Sequence, residues 1–184
     1  MNGGVDIYSA IFLSGVLIAA AANDLRFQKI PNLLTYPAMA VALVYHFVMN
    51  GLDGLLFSTA GLALGIAILI IPYLMGGMGA GDAKLMGTVG AILGAREVFI
   101  AFLFTAIIGG VYALILFLIK RQHFKGFFTR QAATLKTFIF TKQFIPIPGD
   151  QNEKKPKLCY GIAIAIGTLF SVFLEFSGFY TFPI

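Results

Sequence analysis

The sequence predicts an all-α integral membrane protein, a bundle of six transmembrane helices with a glycine-rich break before a short fourth span and a cytoplasmic amphipathic segment before the sixth. Three observations predict it. Of the 184 residues 59% are hydrophobic and 11% charged, with mean hydropathy +0.89, too apolar for a soluble domain. Apolar runs close to the ~20 residues that cross a bilayer recur along the chain. The basic residues gather beside the connections of one membrane face, as the positive-inside rule requires.

The first span runs from Val5 to Asn23. Ala20, Ala21 and Ala22 end it much as a signal-peptidase site would, but Asp6 is the only charged side chain before Asp24, so there is no basic n-region and the span is expected to be retained. Leu33 to Asn50 make the second span and Leu55 to Met75 the third, joined by a short connection from Asn50 to Gly54. Pro31 and Asn32 are expected to start and cap the second helix, and Tyr36 with Pro37 to kink it.

Between Met75 and Lys84 lie Gly76, Gly77, Gly79 and Gly81, then Asp82. The fourth span, Leu85 to Ala95, is about a dozen residues, a rise of only ~18 Å against a hydrocarbon core of ~30 Å. It must begin inside the membrane's thickness, which puts Asp82 below the headgroups at the rim of a cavity. Broken backbone is tolerated there only where protein or water satisfies it. Arg96 and Glu97 precede the fifth span, Val98 to Ile119; the last, Cys159 to Tyr180, carries Glu175 in its final part. Residues 1–184 read as one membrane-embedded domain, with 120–158 a cytoplasmic amphipathic and linker segment within it.

Orientation follows from charge. With the Asp24 and Asp82 connections in the cytoplasm, all 13 basic residues except Arg96 are cytoplasmic. The net charge of +5 therefore answers to a membrane surface, and nucleic acid is not expected as a partner. In the segment after Lys120, Phe124, Phe127, Phe128, Leu135 and Phe138 recur near helical spacing, with Arg121, Lys125, Arg130, Lys136 and Lys142 as the basic complement. This reads as an in-plane helix on anionic lipid; a lid over the site and a docking surface for assembly machinery are the alternatives. Ile145 to Asp150 is a turn-rich linker, and Lys154, Lys155 and Lys157 anchor the final span.

One cysteine, Cys159, excludes an internal disulfide and a cysteine-cluster zinc site, and His46 and His123 are too scattered to form a ligand set. Neither a metal nor another cofactor is expected. His46 is expected near the outer interface, remote from the acids, and Cys159 as a small packing residue.

The chemistry points to Asp24 and Asp82. An ionisable side chain at membrane depth needs a partner or a wet cavity, and both acids fall on the same face, each followed two positions on by a base, Arg26 and Lys84. Two carboxylates that converge in a partly desolvated site cannot both ionise cheaply, so they share a proton. One can then take a proton from water while the other donates to a carbonyl oxygen, the aspartic-protease arrangement. Gly79 and Gly81 would let the backbone turn, leave room for an extended substrate and expose N–H groups. Lys84 could orient Asp82, bind substrate carbonyls or anchor the interface, and Arg26 and Lys29 carry the same choice. The same acids would also suit a six-span ion or proton transporter, and the basic segment a non-enzymatic assembly factor of a pilus or secretion complex.

Gly79-Ala80-Gly81-Asp82 followed by Ala83-Lys84-Leu85 resembles the Gly-x-Gly-Asp signature of the type IV prepilin peptidases. Asp24 with Arg26 and Ile30-Pro31-Asn32 is similar to that family's first-aspartate segment, and Tyr160 to Gly167 resembles the opening of its last span. Presenilin-like and signal-peptide peptidases carry a Tyr-Asp motif at the first acid, whereas Asn23 precedes Asp24 here. The resemblance implies a membrane aspartic endopeptidase with Asp24 and Asp82 catalytic, removing the basic leader of prepilins or pseudopilins at the cytoplasmic face of the inner membrane. Gly79, Gly81, Lys84, Arg26, Pro31 and Asn32 would shape the site. Larger members carry an added segment between the first two spans, often with paired cysteines, associated with N-methylation. The short, cysteine-free connection from Asp24 to Leu33 resembles instead the compact, peptidase-only form of tight-adherence pilus systems.

Overall fold

The computed structural model describes residues 6–75, 77–119 and 160–178. These are helical, in the order α1 (Ile7–Phe27), α2 (Asn32–Leu74), α3 (Ala80–Leu93), α4 (Ala95–Ile119) and α5 (Tyr160–Phe176). The amphipathic segment from Lys120, its linker, Cys159 and Tyr180 lie outside the described residues. The chain divides into two compact units, Met1–Gly110 with Cys159–Ile184, and Val111–Leu158. Of the second, only the end of α4 is described.

Among the described residues, three helices are long and apolar enough to cross a membrane: Ile7–Phe27, Asn32–Leu74 and Ala95–Ile115. At 43 residues, α2 would extend ~65 Å if straight, twice a hydrocarbon core. It is bent back on itself at Gly51, whose φ of 62° and ψ of −139° only glycine adopts readily. The rings of His46 and Phe57, ~16 Å apart along a straight helix, stand 5.1 Å apart. The connection expected from Asn50 to Gly54 is thus narrower than the sequence implies: Gly51 alone leaves helical geometry. Pro37 lies inside the first arm, and its dihedrals stay helical.

The second arm of α2, residues 52–74, packs on α3 through glycines. A side chain at Gly61 would strike the carbonyl of Gly90, one at Gly90 the carbonyl of Gly61, and one at Gly65 the backbone of Met86. Small residues let helix backbones meet in this way, which suits a setting where apolar side chains gain nothing by leaving lipid. Polar bonds tie both arms to α3: Ser58 Oγ of the second donates to the Ala91 carbonyl at 2.7 Å, and His46 Nε2 of the first meets the Ile92 carbonyl at 3.0 Å.

α3 is the centre of the larger unit. From Leu85 to Leu93 every residue is buried, and the helix touches α1, α2 and α5. Its 14 residues span ~21 Å, well short of the core's ~30 Å. On α1, Leu13, Leu17, Ala20 and Asp24 are buried at helical spacing, so the apolar stripe that seats the helix also carries a carboxylate inward. α5 buries Gly161, Ile164, Ala165, Thr168 and Val172 in the same way. α4 meets α5 where Gly167 lies on Thr105 and where Phe104 crosses Phe170 edge-on at 5.2 Å.

Candidate active site

Asp24 and Asp82 are 5% and 7% exposed, the two buried carboxylates among the described residues. They are brought within electrostatic range of each other: the charge of Asp24 acts on Asp82. Each carboxylate meets the start of a helix. Asp82 occupies the first turn of α3, where its Oδ2 accepts the Gly79 N–H at 3.0 Å while its own N–H donates to the Gly79 carbonyl at 3.1 Å. Asp24 ends the buried stripe of α1 and reaches across to α5, where its Oδ2 accepts the Gly161 N–H at 3.0 Å. Helix N-termini offer unpaired N–H groups and a positive dipole end, which favour negative charge and offset part of the cost of burying it.

The sequence places Asp82 in the glycine-rich break; the structure places it inside α3, which begins at Ala80. The reason is the carboxylate itself, which caps the helix from within its first turn, so that glycine at the N-cap needs no side chain. Gly81 consequently lies in the helix, and what it provides is space: a side chain there would come within 3.1 Å of Ile30 Cβ.

Ile30 holds the two aspartates' surroundings together. Buried in the connection between α1 and α2, it packs against Gly81 beside Asp82 and, through its Cδ1, against Gly161 beside Asp24. The turn before it is tight: Gln28 adopts a left-handed φ of 51° and donates its N–H to the Asp24 carbonyl at 2.8 Å. Left-handed geometry is uncommon outside glycine but frequent at helix C-caps.

The remaining residues singled out by sequence fall beside this centre rather than in it. Pro31 is the N-cap of α2, but Asn32 does not cap its helix. Instead Asn32 Oδ1 accepts a hydrogen bond from Lys84 Nζ at 2.9 Å, and the same ammonium lies 4.9 Å from the centre of the Tyr36 ring. Lys84 is engaged there, not on Asp82. Arg26 is exposed in the last turn of α1, where a cation complements the negative helix end. Sequence reading gave Ile30 and Gly161 no part of their own; the signal for Gly161 was its place in the Tyr160 to Gly167 segment, without the reason for it. At the other end of α3, Tyr8, Phe12, Tyr45, His46 and Ile92 line a cavity of about 190 Å³.

Residues 11–114 match the type IV leader peptidase family, a stretch that holds both aspartates. The chain belongs to that family. It is similar to proteins named prepilin leader peptidase/N-methyltransferase: 32% identical over 111 residues to that of Bacillus subtilis, covering 59% of this chain and 44% of the relative. Against the Aeromonas salmonicida protein the identity is 30% over 130 residues, 67% of this chain and 44% of the relative. Against that of Xanthomonas campestris it is 31% over 115 residues, 56% and 38%. The chain thus spans less than half the length of these curated relatives. No solved structure matches it.

Proposed function

We propose that this protein is an aspartic endopeptidase that removes the basic leader of type IV prepilins or pilin-like precursors, with Asp24 and Asp82 as its catalytic pair. The observation that carries the proposal is two buried carboxylates within electrostatic range, on a chain of the leader peptidase family. The proton they share defines the chemistry. The ionised partner takes a proton from water as the water oxygen attacks the scissile carbonyl carbon. The protonated partner gives its proton to the carbonyl oxygen, and the tetrahedral adduct then collapses with transfer of a proton to the leaving amine. Oδ2 of each acid is fixed by a backbone N–H, so neither carboxylate must reorganise as charge develops.

In this reading the protein lies in the inner membrane with both acids at the cytoplasmic end of a six-span bundle. The two arms of α2 on either side of Gly51, together with α1, α3, α4 and α5, supply six helical segments that support the count, and the basic residues support the orientation. A prepilin's hydrophobic helix would pack against the spans while its leader stays in the cytoplasm. The basic segment after Lys120 would rest on anionic lipid or meet the pilus assembly machinery. The short connection between α1 and α2 supports peptidase activity without methylation.

Co-expression with a prepilin, followed by mass spectrometry of its N-terminus, tests both points. Wild type should release the leader and leave the new N-terminus unmethylated. Asp24→Asn and Asp82→Asn should each leave the precursor intact in an inserted, folded protein; cleavage by either variant removes the pair from the mechanism.

A further inference from the structure

We propose that Lys84 is a positioning residue whose hydrogen bond to Asn32 clamps the helix start carrying Asp82 to the connection that leads back to Asp24. The inference rests on the reading of these two acids as the catalytic pair.

Asp82 and Lys84 are two residues apart in one helix and so point to roughly opposite sides of it, about 200° around the axis. Asp82 faces the interior; Lys84 faces the start of α2, where Asn32 and Tyr36, one turn apart, receive it by a hydrogen bond and a ring face. A lysine so near two acids could be drawn to either of them by charge. Here the ammonium is spent on a neutral amide and a phenol ring.

The bond closes a circuit. From Asp24 the chain passes the left-handed Gln28, the buried Ile30 and Pro31 to reach Asn32; from Lys84 it returns through α3 to Asp82. Most of that circuit is stiff. Gln28 is tied to the Asp24 carbonyl, Pro31 has a restricted φ, and Ile30 is wedged between Gly81 and Gly161. The Lys84–Asn32 bond adds a side-chain hydrogen bond between its two halves, joining residues 52 apart in sequence. Catalysis is steeply sensitive to such geometry: a misplacement of ~1 Å can cost ~100-fold in rate. Removing the tie therefore shows itself in turnover rather than in substrate affinity.

The test uses the full chain, purified and reconstituted in vesicles, with a prepilin that the wild type cleaves. Lys84→Met should lower kcat about ten-fold or more while KM moves less than about two-fold. Asn32→Ala should do the same, and the double variant should be no worse than Lys84→Met alone, since that change already removes the bond to Asn32. Lys84→Arg, which keeps a donor and a cation over the Tyr36 ring, should recover kcat to within about three-fold of wild type. A rise in KM at constant kcat would make Lys84 a substrate contact and overturn the clamp, as would additive losses in the double variant. Should Lys84→Met not fold, Asn32→Ala carries the same comparison. Asp24→Asn measured alongside separates the failures: its cleaving the prepilin overturns the catalytic pair, whereas a dead Asp24→Asn beside wild-type turnover in Lys84→Met and Asn32→Ala overturns the clamp alone.

Discussion

The backbone N–H of Gly161 donates to Asp24 Oδ2 at 3.0 Å, linking the first described helix to the last across 137 residues. Neither partner is replaceable by a close relative without consequence. The carboxylate is buried, and a side chain at 161 would lie 2.9 Å from its oxygen and 3.1 Å from Ile30.

Gly161→Ala should therefore impair leader cleavage more than it impairs folding. The methyl group must push Asp24 or Ile30 aside by a few tenths of an ångström, a shift that matters little to packing and much to alignment. A fall of ~10-fold or more in kcat with a melting temperature within ~4 °C of wild type is the expected outcome. Equal turnover would show that Asp24 tolerates displacement.

Gly90→Ala should act in the opposite sense. Its added methyl meets the carbonyl of Gly61, which is backbone and cannot swing away, so α3 and the second arm of α2 must separate. Overpacking of this kind costs about 1–3 kcal/mol. Thermal unfolding in detergent should report the loss, and an unshifted melt would mean that the two helices part easily.

His46→Leu tests the far end of α3. The substitution leaves the buried Ile92 carbonyl without the imidazole and costs about 1–3 kcal/mol of stability. Between Asp82 and Ile92 the helix rises ~15 Å, so cleavage per folded molecule should be unchanged. A large drop in kcat would tie this end of the bundle to the chemistry.

Because the proposed pair works with one proton between two acids, cleavage should fall at both low and high pH. At low pH no base remains to accept the water's proton; at high pH no acid remains to donate one. Activity should also survive EDTA. A rate that climbs steadily with pH, or one abolished by chelation and restored by zinc or magnesium, would point to other chemistry.

Asp24 and Asp82 were legible in the sequence because a charge at the end of an apolar run conflicts with its setting and must be explained. The apolar runs were legible for the same reason, and the broken α2 falls between two of them. Less visible was anything set by contact between distant residues. Asn32 has the composition of a cap, yet its oxygen serves Lys84, a partner that no local pattern names. Asn50 to Gly54 reads as a loop of several residues, but Gly51 alone absorbs the reversal because its φ of 62° is open to glycine. The start of α3 was misplaced for a related reason: glycines at 76, 77, 79 and 81 suggest a break, while the carboxylate at 82 supplies a cap that lets the helix begin before it.

The bond from Gly161 to Asp24 also has a meaning in time. A ribosome delivers α1 long before α5, so during synthesis Asp24 is made without the N–H that will hold it. Until α5 docks, the pair proposed here is incomplete, and a half-made chain has no settled site with which to cut neighbouring proteins. In the proposed reading, competence to cleave would arrive only once α5 is in place, making the docking of that helix the moment of activation.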